Sequence, residues 1–210
     1  MWFSYSPIEI ISYGVMVVLV IKAIAHRSHA YAVAKSYAPI VRELREIGAS
    51  MGRAHTPLCA LDRAHGALLG TALDGIVKNC RADTPPKLID LWVADGVRAE
   101  IGPLYRACER NHSNGPSWGL VFTVVGASLA LHSAGATEGG AAFHTEMIGG
   151  VSLALLSTGI GMVVAIVEQN TMSKLLTPLA QDLRASCTQI MVLAARPHPL
   201  VASLREVSHV

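Results

Sequence analysis

Three stretches of the chain are almost free of charge. The first is apolar from Ile8 to Ala25, with Glu9 near its start and Lys22 near its end. The second, Ser117 to Ala136, and the third, Met147 to Val167, contain no Asp, Glu, Lys or Arg. Each has about 18 to 21 residues, enough for a helix to cross ~30 Å of hydrocarbon. Glu9 and Lys22 are close enough to the ends of their run to snorkel. Trp2, Phe3 and Tyr5 are placed to sit at headgroup level as an aromatic anchor. The first run lacks the basic start and the small-residue cleavage site of a secretory signal, and His26, Arg27 and His29 follow it; it reads as an uncleaved span.

The polar segments between and after these runs keep a helical period. In the insert, Ala30 to Ile47 reads as one helix ending at Gly48. Ala54 to Cys80 reads as a second, with Leu58, Leu61, His65, Leu68, Leu69 and Leu73 at helical spacing. Pro85 and Pro86 open a third through Leu88, Leu91, Trp92, Val97 and Ile101 to Arg110, kinked at Gly102-Pro103. Asn111 to Pro116 is expected to break the helix before the second span. After the third span the period continues from Glu168 to Ala195 through Leu175, Leu176, Leu179, Leu183, Cys187, Ile190 and Met191, with Pro178 a possible kink. Span and tail together make one helix on the order of 70 Å long at about 1.5 Å per residue. There is no strand-like alternation and no internal repeat. The expected fold is therefore all-α and polytopic. Residues 1–27 form an outer segment and span one, 28–115 a helical cytoplasmic insert, and 116–136 span two. Residues 137–146 form a short outer loop, 147–195 span three continuing as a cytoplasmic helix, and 196–210 a frayed tail.

Composition agrees with this pattern. Half of the 210 residues are apolar (51%) and 15% are charged, against about 25% in soluble domains. The net charge of +2 is too small to argue for nucleic acid. The distribution of charge is more informative. Most Lys and Arg lie between His26 and Gly115, more follow Val167, and Ser133 to Glu146 has none. The positive-inside rule then puts the N-terminus outside and the C-terminus in the cytoplasm of a bacterial inner membrane. Cys59, Cys80, Cys108 and Cys187 all fall on the cytoplasmic side, where thiols stay reduced, and read as small buried thiols. His26 and His29, at i and i+3, read as an interfacial pair that needs no ligand. Asp62, Arg63, Asp74 and Lys78 read as solvated or paired. Glu138, His144 and Glu146, with His132 nearby, are candidates for the outer mouth, where carboxylates concentrate cations. No phosphate loop, nucleophile triad or metal cluster stands out, so neither an enzyme nor a resident metal or cofactor is expected.

The second and third runs each carry a face of small and hydroxyl residues. Gly119, Thr123, Gly126, Ala127, Ala130 and Ala134 share one face of the second. Gly150, Ala154, Ser157, Thr158, Gly161 and Ala165 share one face of the third. In lipid, association rests on close van der Waals contact, which small faces permit. These faces should meet each other or other copies. The hydroxyls Thr123, Ser157 and Thr158 have two readings: each bonds its own i−4 carbonyl, or they line a narrow wet path. Residue chemistry does not choose between them.

The run Pro116 to Gly126 resembles the opening of the second span in the MotA/TolQ/ExbB ion-channel family, approximately P-x-L-G-L-x-G-T-V-x-G. Pro116, Gly119, Leu120, Thr123, Val124 and Gly126 match it. Gly150 to Ile166 is similar to the family's third span, with Ala154, Leu155, Thr158 and Gly161 on its A-L-x-x-T-x-x-G core. The topology agrees along the whole chain. The resemblance implies a homopentamer in the inner membrane around single-span partner helices of the MotB/TolR/ExbD type. The partner carries a membrane Asp that binds the ion, and ion flow is converted into mechanical work. It also implies that Thr123 and Thr158, with Ser157 beside them, line the ion path. A carboxylate in lipid is costly and needs polar company, which hydroxyls supply without trapping the ion.

Three departures stand out. Leu153 occupies the place of the Glu found in TolQ and ExbB members, as is common in flagellar-type members. Phe122 replaces a small residue, and Val167 a common Pro. The expected ion is the proton, with sodium as the alternative because Ser157-Thr158 offers an extra oxygen to a hard cation. A passive oligomeric scaffold, or a stand-alone transporter or pore, is the competing reading. Which process is driven is not written in the sequence: outer-membrane protein transport, envelope maintenance, motility and defence all use this family.

Overall fold

The computed structural model describes residues 7–51, 57–79, 84–136 and 141–195; the side chains of 8–9, 57–61, 133–136 and 141–146 fall outside that description. Among the described residues every regular element is a helix. They run α1 (Pro7–Met51), α2 (Pro57–Leu68), α3 (Asp74–Asn79), α4 (Pro86–Ala136), α5 (Ala141–Thr171), a π-helical turn (Met172–Leu176) and α6 (Thr177–Ala195).

The all-helical expectation holds, but several boundaries move. The helix expected from Ala54 to Cys80 is two helices. Between them Gly70 takes φ +83°, a conformation open to glycine and strained for other residues. Thr71 Oγ1 then bonds the Leu68 carbonyl at 2.7 Å and accepts from the Leu73 amide at 3.3 Å, which closes the turn. The break expected at Asn111–Pro116 is absent, as is the end near Arg110; α4 runs unbroken through both and through Pro103. Likewise, α1 joins the first apolar run to the first insert helix without interruption. The loop expected over 137–146 is shortened, because α5 already begins at Ala141. The third-span helix continues to Ala195 as expected, with the π turn just ahead of Pro178. A proline ring clashes with the carbonyl four residues back, and a widened turn gives it room.

Among the described residues two helical stretches are long and apolar enough to cross a membrane, Ile10–Met51 and Met147–Ala195. The uncharged segment expected as span two, on α4, ends on residues 133–136, whose side chains lie outside the described residues.

The chain divides into two compact units, Met1–Tyr31 with Leu104–Leu175, and Ala32–Pro103 with Leu176–Val210. Residues 104–115, expected in the insert, group with the apolar helices. In the first unit Met16, Leu19 and Ala23 of α1 pack with Phe122 of α4 and Val164 of α5, flanked by Val15, Val20, Ile160 and Val167. Phe122 thus fills the space between helices that a small residue would leave open. Val167 packs against the edge of this cluster. The outward side chains are also apolar, including Ile21, Ile24, Leu120, Val124, Leu155 and Met162. An apolar exterior of this extent belongs against lipid or other chains.

The second unit is organised like a soluble helical domain. Tyr37, Val41, Leu44 and Ile47 of α1, Ile89, Val93, Val97 and Ile101 of α4, and Leu179, Leu183, Cys187 and Ile190 of α6 are buried at spacings of three and four. Its surface carries the ion pairs Arg45–Asp182 (2.5 Å) and Arg184–Asp90, the latter two-pronged at 3.1 and 2.6 Å. That guanidinium holds the Asp90 carboxyl below the usual carboxylate range. Asp74 pairs with His65 and, at 3.4 Å, with Lys78. Asp62 and Arg63 are exposed.

Candidate functional site

The small faces of α4 and α5 meet along their length. A side chain built on Gly126 would stand 2.5 Å from the Gly150 carbonyl oxygen, and one on Gly150 would stand 2.5 Å from that of Gly126. A side chain on Gly161 would stand as close to the Gly115 carbonyl oxygen, and one on Gly119 would stand 3.1 Å from that of Ser157. Ala154 touches Gly126, and Ala130 touches Gly150. Only glycine lets two helix backbones approach this closely.

At the middle of this contact three hydroxyls share two carbonyls. Thr123 Oγ1 lies 2.7 Å from the Gly119 carbonyl and 3.1 Å from that of Ala154. Thr158 Oγ1 donates to Ala154 O at 3.0 Å, and Ser157 Oγ reaches Ala154 O at 3.0 Å and Gly119 O at 3.3 Å. The two threonine oxygens are 2.6 Å apart, and Ser157 Oγ is 3.5 Å from Thr123. Bonds to the i−4 carbonyl and bonds across the helix pair therefore coexist. Each hydroxyl has one proton to give; one bridges the two threonine oxygens, and the carbonyls take the others. The oxygens keep lone pairs free while the site stays neutral. Ser157 is buried, Thr123 half-buried and Thr158 exposed on the outer side of α5. Leu153, in the place of the family Glu, is wholly buried (0% exposed).

A second polar cluster was not anticipated. Glu168, at the end of the uncharged run of α5, is fully buried (0%). Its Oε1 accepts from His26 Nδ1 at 2.8 Å and from Asn111 Nδ2 at 2.5 Å. Asn111 also reaches the Leu19 carbonyl at 3.4 Å. Cys108 lies alongside; burial, then the Glu168 charge, push its thiol up to about 12. Nearby, His112 Nδ1 donates to the Ala165 carbonyl at 3.0 Å. These partners come from α1, α4 and α5 and are 57 to 142 residues apart for Glu168, so no local motif betrays them. The one available signal was a lone acid directly after an uncharged run of twenty-one residues, Met147 to Val167.

Of the outer-mouth candidates, Glu138 and the side chains of His144 and Glu146 lie outside the described residues, as do the aromatic anchor, the tail and the side chains of Cys59 and Cys80. The other two thiols, Cys108 and Cys187, are buried. Residues 105–186, which include the hydroxyl cluster and Glu168, match the model of the MotA/TolQ/ExbB proton channel family. No curated protein and no solved structure matches the chain.

Proposed function

We propose that the chain, whose residues 105–186 match the model of the MotA/TolQ/ExbB proton channel family, a family of membrane channel proteins rather than enzymes, is the ring-forming subunit of an ion-driven motor or energiser. In this reading five copies in a bacterial inner membrane surround a single-span partner whose membrane Asp carries the ion. Each copy crosses three times, N-terminus outside, with the α4 segment 116–136 as the second span. Ion flow through the assembly is converted into mechanical work.

The observation that carries the reading is the hydroxyl cluster. Thr123, Ser157 and Thr158 share two backbone carbonyls, one threonine donates to the other across 2.6 Å, and Thr158 opens outward. A partner carboxylate arriving there meets oxygen lone pairs when protonated or ion-loaded, and a hydroxyl proton when charged. Neutral hydroxyls solvate the carboxylate in lipid without pairing with it permanently. Leu153 adds no charge of its own, so the acid–base step belongs to the partner. The proton is the first expectation for the ion, and Ser157 provides the oxygen that sodium would use.

The passive-scaffold reading draws on the same i−4 bonds, which a packing role also needs. Ion conductance with the partner co-expressed separates the two. Thr158→Val keeps the shape, removes the oxygen, and is expected to abolish conductance and energised function while the complex still assembles. Full conductance in that variant would rule out the lining role.

A further inference from the structure

His26, Cys108 and Glu168 offer three metal-ligating atoms, one each from α1, α4 and α5, all within 4.8 Å of one another. Four-coordinate zinc needs N, O and S ligands about 3.3–3.8 Å apart, given its bond lengths. Small side-chain adjustments bridge that difference. The second observation is the carboxylate itself. Glu168 Oε1 is held by His26 and Asn111, while Oε2 is buried with no hydrogen-bond partner. An orphaned buried carboxylate oxygen bears its full desolvation penalty, and such atoms call for an explanation.

We propose that His26, Cys108 and Glu168 form a binding site for a zinc-class divalent transition metal, which fastens α1, α4 and α5 together. A thiolate, an imidazole and a carboxylate select a borderline-soft ion over Mg²⁺ or Ca²⁺. Glu168 ligates through Oε2, while Asn111 keeps its bond to Oε1 and fixes the carboxylate from behind, as outer partners of metal ligands do. The ion enters where His26 Nδ1 now donates. The imidazole proton moves to Nε2, and the Cys108 thiol proton leaves to solvent. A fourth position remains for water. The site is separate from the hydroxyl cluster and does not depend on ion conduction.

The test uses the full chain in detergent micelles, reduced and stripped with chelator, with Cys59, Cys80 and Cys187 changed to Ser. Titration with Co²⁺ is expected to raise a near-ultraviolet sulfur-to-cobalt charge-transfer band that saturates at one ion per chain and is abolished by excess Zn²⁺. Cys108→Ser is expected to lose the band. His26→Gln and Glu168→Gln should weaken binding at least about tenfold. Zn²⁺ should also raise the thermal midpoint of the chain that retains Cys108, a reading that needs no ligand variant to fold. The proposal is overturned if no band forms, if the band survives Cys108→Ser, or if Zn²⁺ leaves the midpoint unchanged.

Discussion

Gly126 and Gly150 face each other with no room for a methyl group. A methyl on either would stand 2.5 Å from the other's carbonyl oxygen and within 3.0 Å of a backbone nitrogen. The obstacle is backbone on both sides, so the helices must part. Gly126→Ala and Gly150→Ala are each expected to destabilise the detergent-solubilised chain by about 1–3 kcal/mol, the usual range for overpacking. Gly159, only nine residues on, has nothing within 4 Å of its would-be side chain. Gly159→Ala should stabilise by up to ~1 kcal/mol through helix propensity. Denaturant unfolding of the three variants checks both signs together. A common sign would mean that the α4–α5 contact is not what these glycines serve. The glycines were legible in the sequence because a face is a local property: spacing alone put them on one side of each helix. Glu168 was not, because its partners are set by packing across three helices. Sequence spacing identified His26 only as half of an interfacial pair with His29.

At the level of elements, helix existence was easy to read and helix ends were not. Asn111–Pro116 has the composition of a break, yet tertiary contacts keep the helix. The Asn111 side chain is occupied by Glu168 and Leu19, Gly115 lies against Gly161, and His112 bonds Ala165. At Gly70 the reverse holds: a positive φ ends α2 although the apolar spacing continues. Pro178 shows how a helix absorbs a misfit. The π turn Met172–Leu176 precedes it, and Pro178→Ala removes the clash that the wide turn accommodates. Slower amide exchange over 174–178 and a higher unfolding midpoint are expected; unchanged exchange would give the π turn another cause. On α6, burial raises the Cys187 thiol from 9.0 to about 12. Below 9.0 both folded and unfolded chains keep this proton. Above it the unfolded chain loses the proton first, so stability falls as pH rises toward 12. Cys187→Ala should flatten part of that alkaline limb, measured as unfolding midpoint against pH.

The whole molecule presents two kinds of outward surface in its first unit. On α1, Ile10, Val17, Ile21 and Ile24 are exposed and purely apolar, the surface expected toward lipid tails. On α5, Leu155 and Met162 are exposed with Thr158 between them at helical spacing, so that face mixes apolar contact with an oxygen. A hydroxyl gains little from facing hydrocarbon, whereas facing another chain it can solvate a charge or close a contact. In a ring, then, α5 faces protein and α1 faces lipid. With Cys59, Cys80, Cys108 and Cys187 replaced by Ser, a single cysteine at position 155 or 162 should crosslink between chains in native membranes, and one at position 21 should react instead with a lipid-phase label. With cysteines at both 155 and 162 in each chain and the partner co-expressed, the α5 crosslinks should build a ladder reaching five copies, because each subunit of a closed ring touches two neighbours by the same pair of surfaces. A ladder ending at two would exclude the ring, and crosslinking from position 21 in place of 155 would reverse the assignment of the two faces. Either result would also remove Thr158 from the path, since the hydroxyl can serve an ion only if α5 faces the partner.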